Sequence, residues 1–169
     1  MSSKWVLSWS QMRDGLRADK EHWKRRGISL PQLHRGYHAI VLYRLARLAH
    51  ECGFKFIGWG IWIFNNIWTK ADLPPSSKIG RGLFLPHPIG VVISGAIGCN
   101  AYIGMQVGVG GLLKAPERDI GGGPGLPVIG NNVIIEPRVL VLGLVQISDN
   151  ITINPGSIIL NDINQNNQI

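Results

Sequence analysis

From Ile79 to Ile159 an apolar residue stands at every sixth position. The column runs Ile79, Leu85, Val91, Ile97, Ile103 and Val109, breaks once, and resumes at Ile129, Ile135, Val141, Ile147, Ile153 and Ile159. A second column lies four residues on, at Leu83, Ile89, Ala101, Val107, Leu113, Val133, Val139, Val145, Ile151 and Ile163, with Gly95 and Ser157 as small exceptions. Neither the 3.6-residue period of a helix nor the two-residue period of a strand sustains this beat. A solenoid does, with three short strands per coil and an inward side chain from each. Branched side chains suit such a ladder, while Gly, Asn and Asp suit its corners. Gly80, Gly82, Gly98, Asn100, Gly104, Gly130, Asn132 and Asp149-Asn150 fall between the strands accordingly. An ordinary antiparallel β-domain rich in Val and Ile would lose phase over so many hexads. The hexads fill four coils, so capping helices or neighbouring subunits must cover what remains open.

The first 70 residues carry a different pattern. Ser8 to Arg26 spaces Trp9, Met12, Leu16 and Trp23 as a helix does, and Gly27 and Pro31 punctuate it. Leu33 to Cys52 reads as a second helix, with Arg44 and Arg47 off its apolar face and Gly53 as its stop. Phe56 to Trp68 is intensely apolar yet shorter than the roughly 20 residues that span a bilayer. It is expected to pack on the first coil or a neighbouring subunit. The rival reading is peripheral membrane contact through Trp59, Trp62 and Trp68, with Lys55 and Lys70 flanking. Pro74-Pro75 ends the helical segment. The domain reading is therefore a helical segment 1–70, a solenoid 71–163 with an extended loop 112–127, and a tail 164–169. The loop holds Lys114, Glu117, Arg118 and Asp119 before Gly121-Gly122-Gly123-Pro124-Gly125. Without the Lys-Ser/Thr of a phosphate-binding loop, this run reads as a hinge or flap on the functional side.

Composition narrows the function classes. The net charge of +7 is concentrated in residues 1–70, which hold 12 Lys/Arg against 4 Asp/Glu, whereas residues 71–169 hold 5 against 6. A nucleotide-bearing cofactor or lipid head groups suit the basic half. No nucleic-acid motif accompanies it, so nucleic acid is set aside. Cys52 and Cys99 lie in unrelated segments and are expected to be reduced, which favours a cytoplasmic protein, peripheral at the inner membrane face if the apolar helix meets lipid. No secretory signal is seen at the N-terminus. No Cys/His cluster has metal-ligand spacing.

Asp72 and His87 are the candidate catalytic pair. They are 15 residues apart, close to the 18 of one coil, so stacking would bring them to the same corner. A carboxylate beside an imidazole fixes its tautomer and raises its basicity, as a general base near neutral pH requires. Pro86 and Pro88 bracket the histidine.

The stretch Asp72-Leu-Pro-Pro-Ser-Ser-Lys-Ile-Gly-Arg-Gly-Leu-Phe-Leu-Pro-His87 resembles the catalytic entry of the serine acetyltransferase family of hexapeptide-repeat enzymes. Gly36-Tyr37-His38-Ala39-Ile40 with Tyr43-Arg44 resembles the helix before the solenoid there, and Val107-Gly-Val-Gly-Gly111 resembles the segment before the extended loop. The resemblance implies a mainly β fold: a left-handed parallel β-helix of hexapeptide repeats with an N-terminal α-helical segment, assembled as a homotrimer. It implies acetyl-CoA as acetyl donor, with no metal and no covalent enzyme intermediate. His87 would take the acceptor's proton and Asp72 would orient it. Gly110, Gly111, Pro137, Pro155 and Gly156 occupy the positions that line the coenzyme, and a backbone N–H near Gly110-Gly111 would serve the oxyanion.

Departures from the family set the expected acceptor. Pro86 precedes the histidine where serine-specific members have Asp. Gly125-Leu126-Pro127 replaces their Arg-His at the loop's end, and Glu136-Pro137-Arg138 replaces small residues. Glu21 falls loosely near another serine-binding acid. With those counter-charges missing, the expectation is a glycan acceptor, a sugar hydroxyl in capsule or exopolysaccharide synthesis. Free serine is the alternative acceptor, and a non-catalytic trimeric scaffold the third reading.

Overall fold

The computed structural model describes residues 8–113 and 118–164. Three helices lead into a prism of short parallel strands. Helix α1 (Trp9–Arg25) starts at Ser8, whose hydroxyl accepts from the Gln11 N–H while the Gln11 side chain accepts from the Ser8 N–H, a reciprocal cap. A 3-10 turn (Pro31–Leu33) leads into α2 (Arg35–Glu51), and α3 (Lys55–Thr69) follows. Gly27 and Gly53, both at positive φ, stop α1 and α2 as their sequence positions suggest.

The strands are β1 (Lys78–Ile79), β2 (Val92–Ile93), β3 (Ala96–Ile97), β4 (Tyr102–Ile103), β5 (Gly108–Gly110), β6 (Val128–Ile129), β7 (Ile134–Ile135), β8 (Leu140–Leu142), β9 (Gln146–Ile147), β10 (Thr152–Ile153) and β11 (Ile158–Ile159). They form three parallel sheets, ordered β1-β3-β6-β9, β4-β7-β10 and β2-β5-β8-β11. The chain visits the first sheet, the second and the third in turn over four coils, the first coil meeting the second sheet only through the isolated bridge Phe84↔Tyr102. Partners one coil apart are mostly 18 residues apart, as in Lys78↔Ala96, Val128↔Gln146 and Leu140↔Ile158, so three hexads close each coil. The inward column Ile97, Ile103, Val109, Ile129, Ile135, Val141, Ile147, Ile153 and Ile159 is buried, and the second column from Val133 to Ile151 is buried with it.

Two members of that second column are not inward. Ile89 is 54% exposed and Leu113 is fully exposed. Leu113 opens the long loop. Ile89 is displaced by a register change: Phe84 pairs with Tyr102, an 18-residue separation, but Val92 pairs with Gly108, a separation of 16. The first coil therefore carries two extra residues at its second corner, in the segment Pro86-His87-Pro88. Ile93 is the residue β2 turns inward.

The helices close one end of the prism through polar side chains as well as apolar ones. Asp19, fully buried, accepts from Arg44 Nε (3.0 Å) and Nη2 (3.1 Å) and from the Leu83 N–H (2.8 Å). Arg44 also donates to the carbonyls of Ile79 and Gly80. Burial opposes its charge, but Asp19 outweighs burial and the guanidinium pKa is raised. Tyr43 and Arg47 donate to the Ser77 carbonyl, fixing the first strand's entry.

The apolar helix α3 packs mainly on α2 and meets the first coil through the Trp62–Asp72 hydrogen bond. It lies along α2, where Gly58 lets the backbones approach (an added Cβ would stand 2.8 Å from the Ala46 carbonyl) and Asn65 donates to the Ala39 carbonyl. Its outer row, Phe56, Ile57, Ile63, Phe64, Ile67 and Trp68, is exposed. Among the described residues no helix is long and apolar enough to cross a membrane. The loop is not an open flap over the part described. Asp119 accepts from the Gly121 and Gly123 N–H groups (2.6 and 2.9 Å), which holds its carboxyl below the usual range, and Lys78 Nζ donates to the Gly121 carbonyl (2.7 Å). Lys114 and Glu117 lie outside the described residues, as does the tail beyond 164.

Candidate active site

The second corner of each coil stacks into one edge of the prism. From the first coil upward it consists of Pro86 to Gly90, Met105-Gln106, Pro137-Arg138 and Pro155-Gly156. Backbone bonds connect the levels: Gly90 N–H to Lys70 O, Gln106 N–H to Ile89 O, Arg138 N–H to Met105 O and Gly156 N–H to Pro137 O. Gln106 and Arg138 adopt positive φ (58° and 63°) to turn this corner, although neither is glycine.

His87 sits on the two-residue bulge of this edge. Its side chain is exposed and makes no hydrogen bond among the described residues. Prolines on both sides restrict the backbone that carries it. Asp72 runs beside the next stretch of chain: its N–H donates to Val91 O (2.8 Å) and its carbonyl accepts from Ile93 N–H (2.9 Å). The coil thus places the two residues on neighbouring strands of backbone. Their side chains are not hydrogen-bonded to each other. Asp72 Oδ1 instead accepts from the Trp62 indole N–H at 2.8 Å, and Oδ2 has no hydrogen bond among the described residues. Trp62, which the sequence offers only as packing or as a lipid anchor, is a polar partner of the candidate acid. Its ring is braced edge-on by Trp59, 5.1 Å between centroids. A tryptophan ten residues before an aspartate was the only available signal.

The candidate coenzyme residues separate into two groups. Pro137, Pro155 and Gly156 share the His87 edge. Gly110 and Gly111 lie at the far end of the third sheet, four residues beyond Gln106, or roughly 13 Å at strand rise. A backbone N–H there does not reach an oxygen held at the same chain's His87. An added Cβ would meet nothing within 4 Å at either Gly110 or Gly156, so both positions border open space of the kind a pantetheine arm needs. The residues present fit an extended thioester carrier lying along backbone. Among the described residues no His/Cys/Asp/Glu group could hold a metal ion.

One charged residue of this edge has no role in the sequence reading beyond crowding a groove. Arg138 stands two coils above the His87 turn, about 9.6 Å at sheet spacing. Its Nε donates to Gln106 Oε1 (3.2 Å), which leans the guanidinium down one coil towards His87. Glu21 is exposed on α1.

No protein-family model matches the chain. A serine acetyltransferase of Helicobacter pylori strain 26695 is 34% identical over 135 residues, covering 78% of this chain and 74% of the relative. Among solved structures, soybean serine acetyltransferase complexed with serine superimposes with a TM-score of 0.82 at 26% identity, covering 91% of this chain and 64% of that one. The Neisseria gonorrhoeae serine acetyltransferase gives 0.81 at 28% identity, with 92% and 63% covered. The chain thus spans less than two thirds of those solved chains. These proteins all carry the serine acetyltransferase name, which overturns the expectation of a glycan acceptor. The absent loop arginine and histidine were not grounds enough to move the chain away from serine.

Proposed function

The chain belongs to the serine acetyltransferase family, and from that premise we propose that it transfers acetyl from acetyl-CoA to the hydroxyl of L-serine. The observation that carries the reading is the 34% identity to the Helicobacter pylori enzyme over most of both chains. The fold is the left-handed parallel β-helix of that family.

The residues assigned are His87 as general base and Asp72 as the group that orients it. His87, exposed on its bulge, takes the hydroxyl proton as the serine oxygen attacks the thioester carbonyl, and returns that proton to the departing thiolate. Acetyl-CoA supplies the acetyl group as an activated thioester. Asp72 keeps one carboxylate oxygen for the imidazole while Trp62 holds the other. The imidazolium formed in the transition state is stabilised by that anion. A zwitterionic acceptor needs a cation for its carboxylate. Arg138, aimed down the same edge by Gln106, is the cation assigned to it. Pro137, Pro155 and Gly156 offer the backbone-lined groove for coenzyme A.

A homotrimer with sites between subunits belongs to the same reading. Its support is the separation of Gly110-Gly111 from His87 across one sheet, which a neighbouring prism would bridge. The outward row Val92, Ile158 and Leu160 on that sheet is apolar and exposed. Release of coenzyme A from acetyl-CoA, followed with a thiol reagent, tests the function. Saturable dependence on L-serine is expected, with His87→Ala slower by about 10²- to 10⁴-fold. Activity on sugars but not serine, or full activity in His87→Ala, refutes it.

A further inference from the structure

We propose that the cleft between the C-terminal end of α1 and the second sheet is a binding site for a small phosphate ester. The cleft has a volume of about 430 Å³ and is lined by His22, Arg25, Arg26, Asn100, Asn132 and Ile134. It lies on a different edge of the prism from His87, at the stacked first corners that carry Asn100 and Asn132, so it is separate from the proposed acetyl-transfer site. The inference does not rest on that function.

The wall of the cleft is built and preorganised. The Arg26 guanidinium lies over the rings of Phe84 and Tyr102, 5.5 Å from each centroid. Its Nε donates to His22 Nε2 (3.4 Å), while His22 Nδ1–H donates to the Gly82 carbonyl. That pairing fixes His22, itself buried, as the neutral imidazole. Both Nη groups of Arg26 are left without a hydrogen bond among the described residues, and Arg25 has no bond or ion pair there. On the opposite wall Asn100 Nδ2 donates to Asn132 Oδ1 (3.2 Å) and Asn132 Nδ2 to Asn150 Oδ1 (3.0 Å), a ladder that leaves a second N–H on each amide.

The chemistry of the occupant follows from this inventory. Two neighbouring guanidiniums repel unless an anion stands between them. No carboxylate lines the cleft. Asp19 of α1 is committed to Arg44. Glu136, close enough to Tyr102 to add to burial in raising that phenol's pKa, is not among the residues that line the cleft. Two guanidiniums and two amides present more donors than the two oxygens of a carboxylate can take, and suit the three oxygens of a phosphomonoester. The volume falls within the range of small-molecule sites. The flat surface made by Arg26 on Tyr102 and Phe84 suits an unsaturated ring on the ester.

Calorimetry with two probes, inorganic phosphate and phenyl phosphate, tests this in the full chain at about 150 mM chloride. Phenyl phosphate is expected to bind saturably with Kd below about 1 mM and several-fold more tightly than inorganic phosphate. The double variant Arg25→Gln/Arg26→Met keeps the apolar stems and is expected to weaken it at least about tenfold. Asn132→Asp keeps the side-chain shape and the positive-φ corner while placing a carboxylate in the cleft, and is expected to weaken it comparably. Absence of saturable binding for both probes, or binding unchanged in both variants, overturns the proposal. Binding intact in a protein inactive towards serine refutes the function and leaves this site standing.

Discussion

Replacing Trp62 by Phe separates a held carboxylate from a loose one. The substitution keeps an aromatic ring against Trp59 and removes a single donor, the indole N–H that stands 2.8 Å from Asp72 Oδ1. Hydrogen bonds to charged groups contribute about 1.5–3 kcal/mol, and this one, between two half-exposed residues, belongs at or below the lower end. If the indole aims the carboxylate at His87, losing about 1.4 kcal/mol of that orientation slows kcat/KM about tenfold. Steady-state release of coenzyme A with L-serine and acetyl-CoA reads this directly. The same substitution made in an Asp72→Asn background is expected to have little effect, because the charge being aimed is gone. Circular dichroism during heating separates this from unfolding, since trimming a half-exposed ring lowers Tm only slightly. A Trp62→Phe enzyme within about twofold of wild type, or an equal tenfold loss in both backgrounds, refutes the chain from indole to carboxylate to imidazole.

Other consequences can be checked independently. Arg44→Met leaves the buried Asp19 carboxylate with only the Leu83 N–H and strips donors from two carbonyls, so urea unfolding should show a loss of about 3–5 kcal/mol, partly restored by adding Asp19→Asn. Arg138→Gln should raise KM for serine about tenfold with kcat nearly unchanged; a fall in kcat alone would remove the carboxylate role. His22 is held below its ordinary 6.5 by burial and then by Arg26 and Arg25, against the Gly82 bond that favours its charged form. The unfolded chain therefore binds the extra proton first. The stability His22 contributes is complete above 6.5 and is lost as pH falls from 6.5 towards the folded-state value. In phosphate-free buffers, Tm of His22→Gln should fall less over that interval than Tm of the wild type.

The repeat was legible because every strand must turn one branched residue into a narrow prism, and a missing one leaves a cavity. Ile97, Ile135 and Ile153 could not be otherwise placed. Helix starts and stops were legible at Ser8, Gly27 and Gly53 for equally local reasons. Partners across the fold were not. The tryptophans of α3 dominate its sequence, yet the helix buries Gly58 and Asn65 against α2, because close backbone approach and a buried amide bond decide which side faces in. The acceptor was misread for a similar reason. The missing loop residues are visible in a sequence, whereas the Arg138–Gln106 contact, on which the proposed cation for serine rests, becomes visible only when the coils are stacked.

The bulge that carries His87 explains one further position. Two extra residues at the second corner of the first coil would shift every later strand unless the coil gave them back. Ile93 is only four residues from Ile97, whereas Val141 and Ile147, the same inward pair two coils on, are six apart. The shortened corner is Ser94-Gly95, and Gly95 makes it at φ 140°. A Cβ there would stand 2.7 Å from the Pro127 carbonyl, the acceptor for the Ala96 N–H that starts β3. Gly95→Ala must therefore either strain a backbone region open mainly to glycine or push the second and third coils apart at this corner. The cost is of order 1–3 kcal/mol for the conformation alone, more with the clash. Because the same corner restores the register that the His87 bulge breaks, relaxation should travel back along β2 to residues 86–91. Amide exchange is expected to speed at Val91 to Ile93 in Gly95→Ala while Val139 to Val145, in the regular coil above, stay protected. Uniform loss of protection, or none, would show that the bulge and the short corner are not coupled.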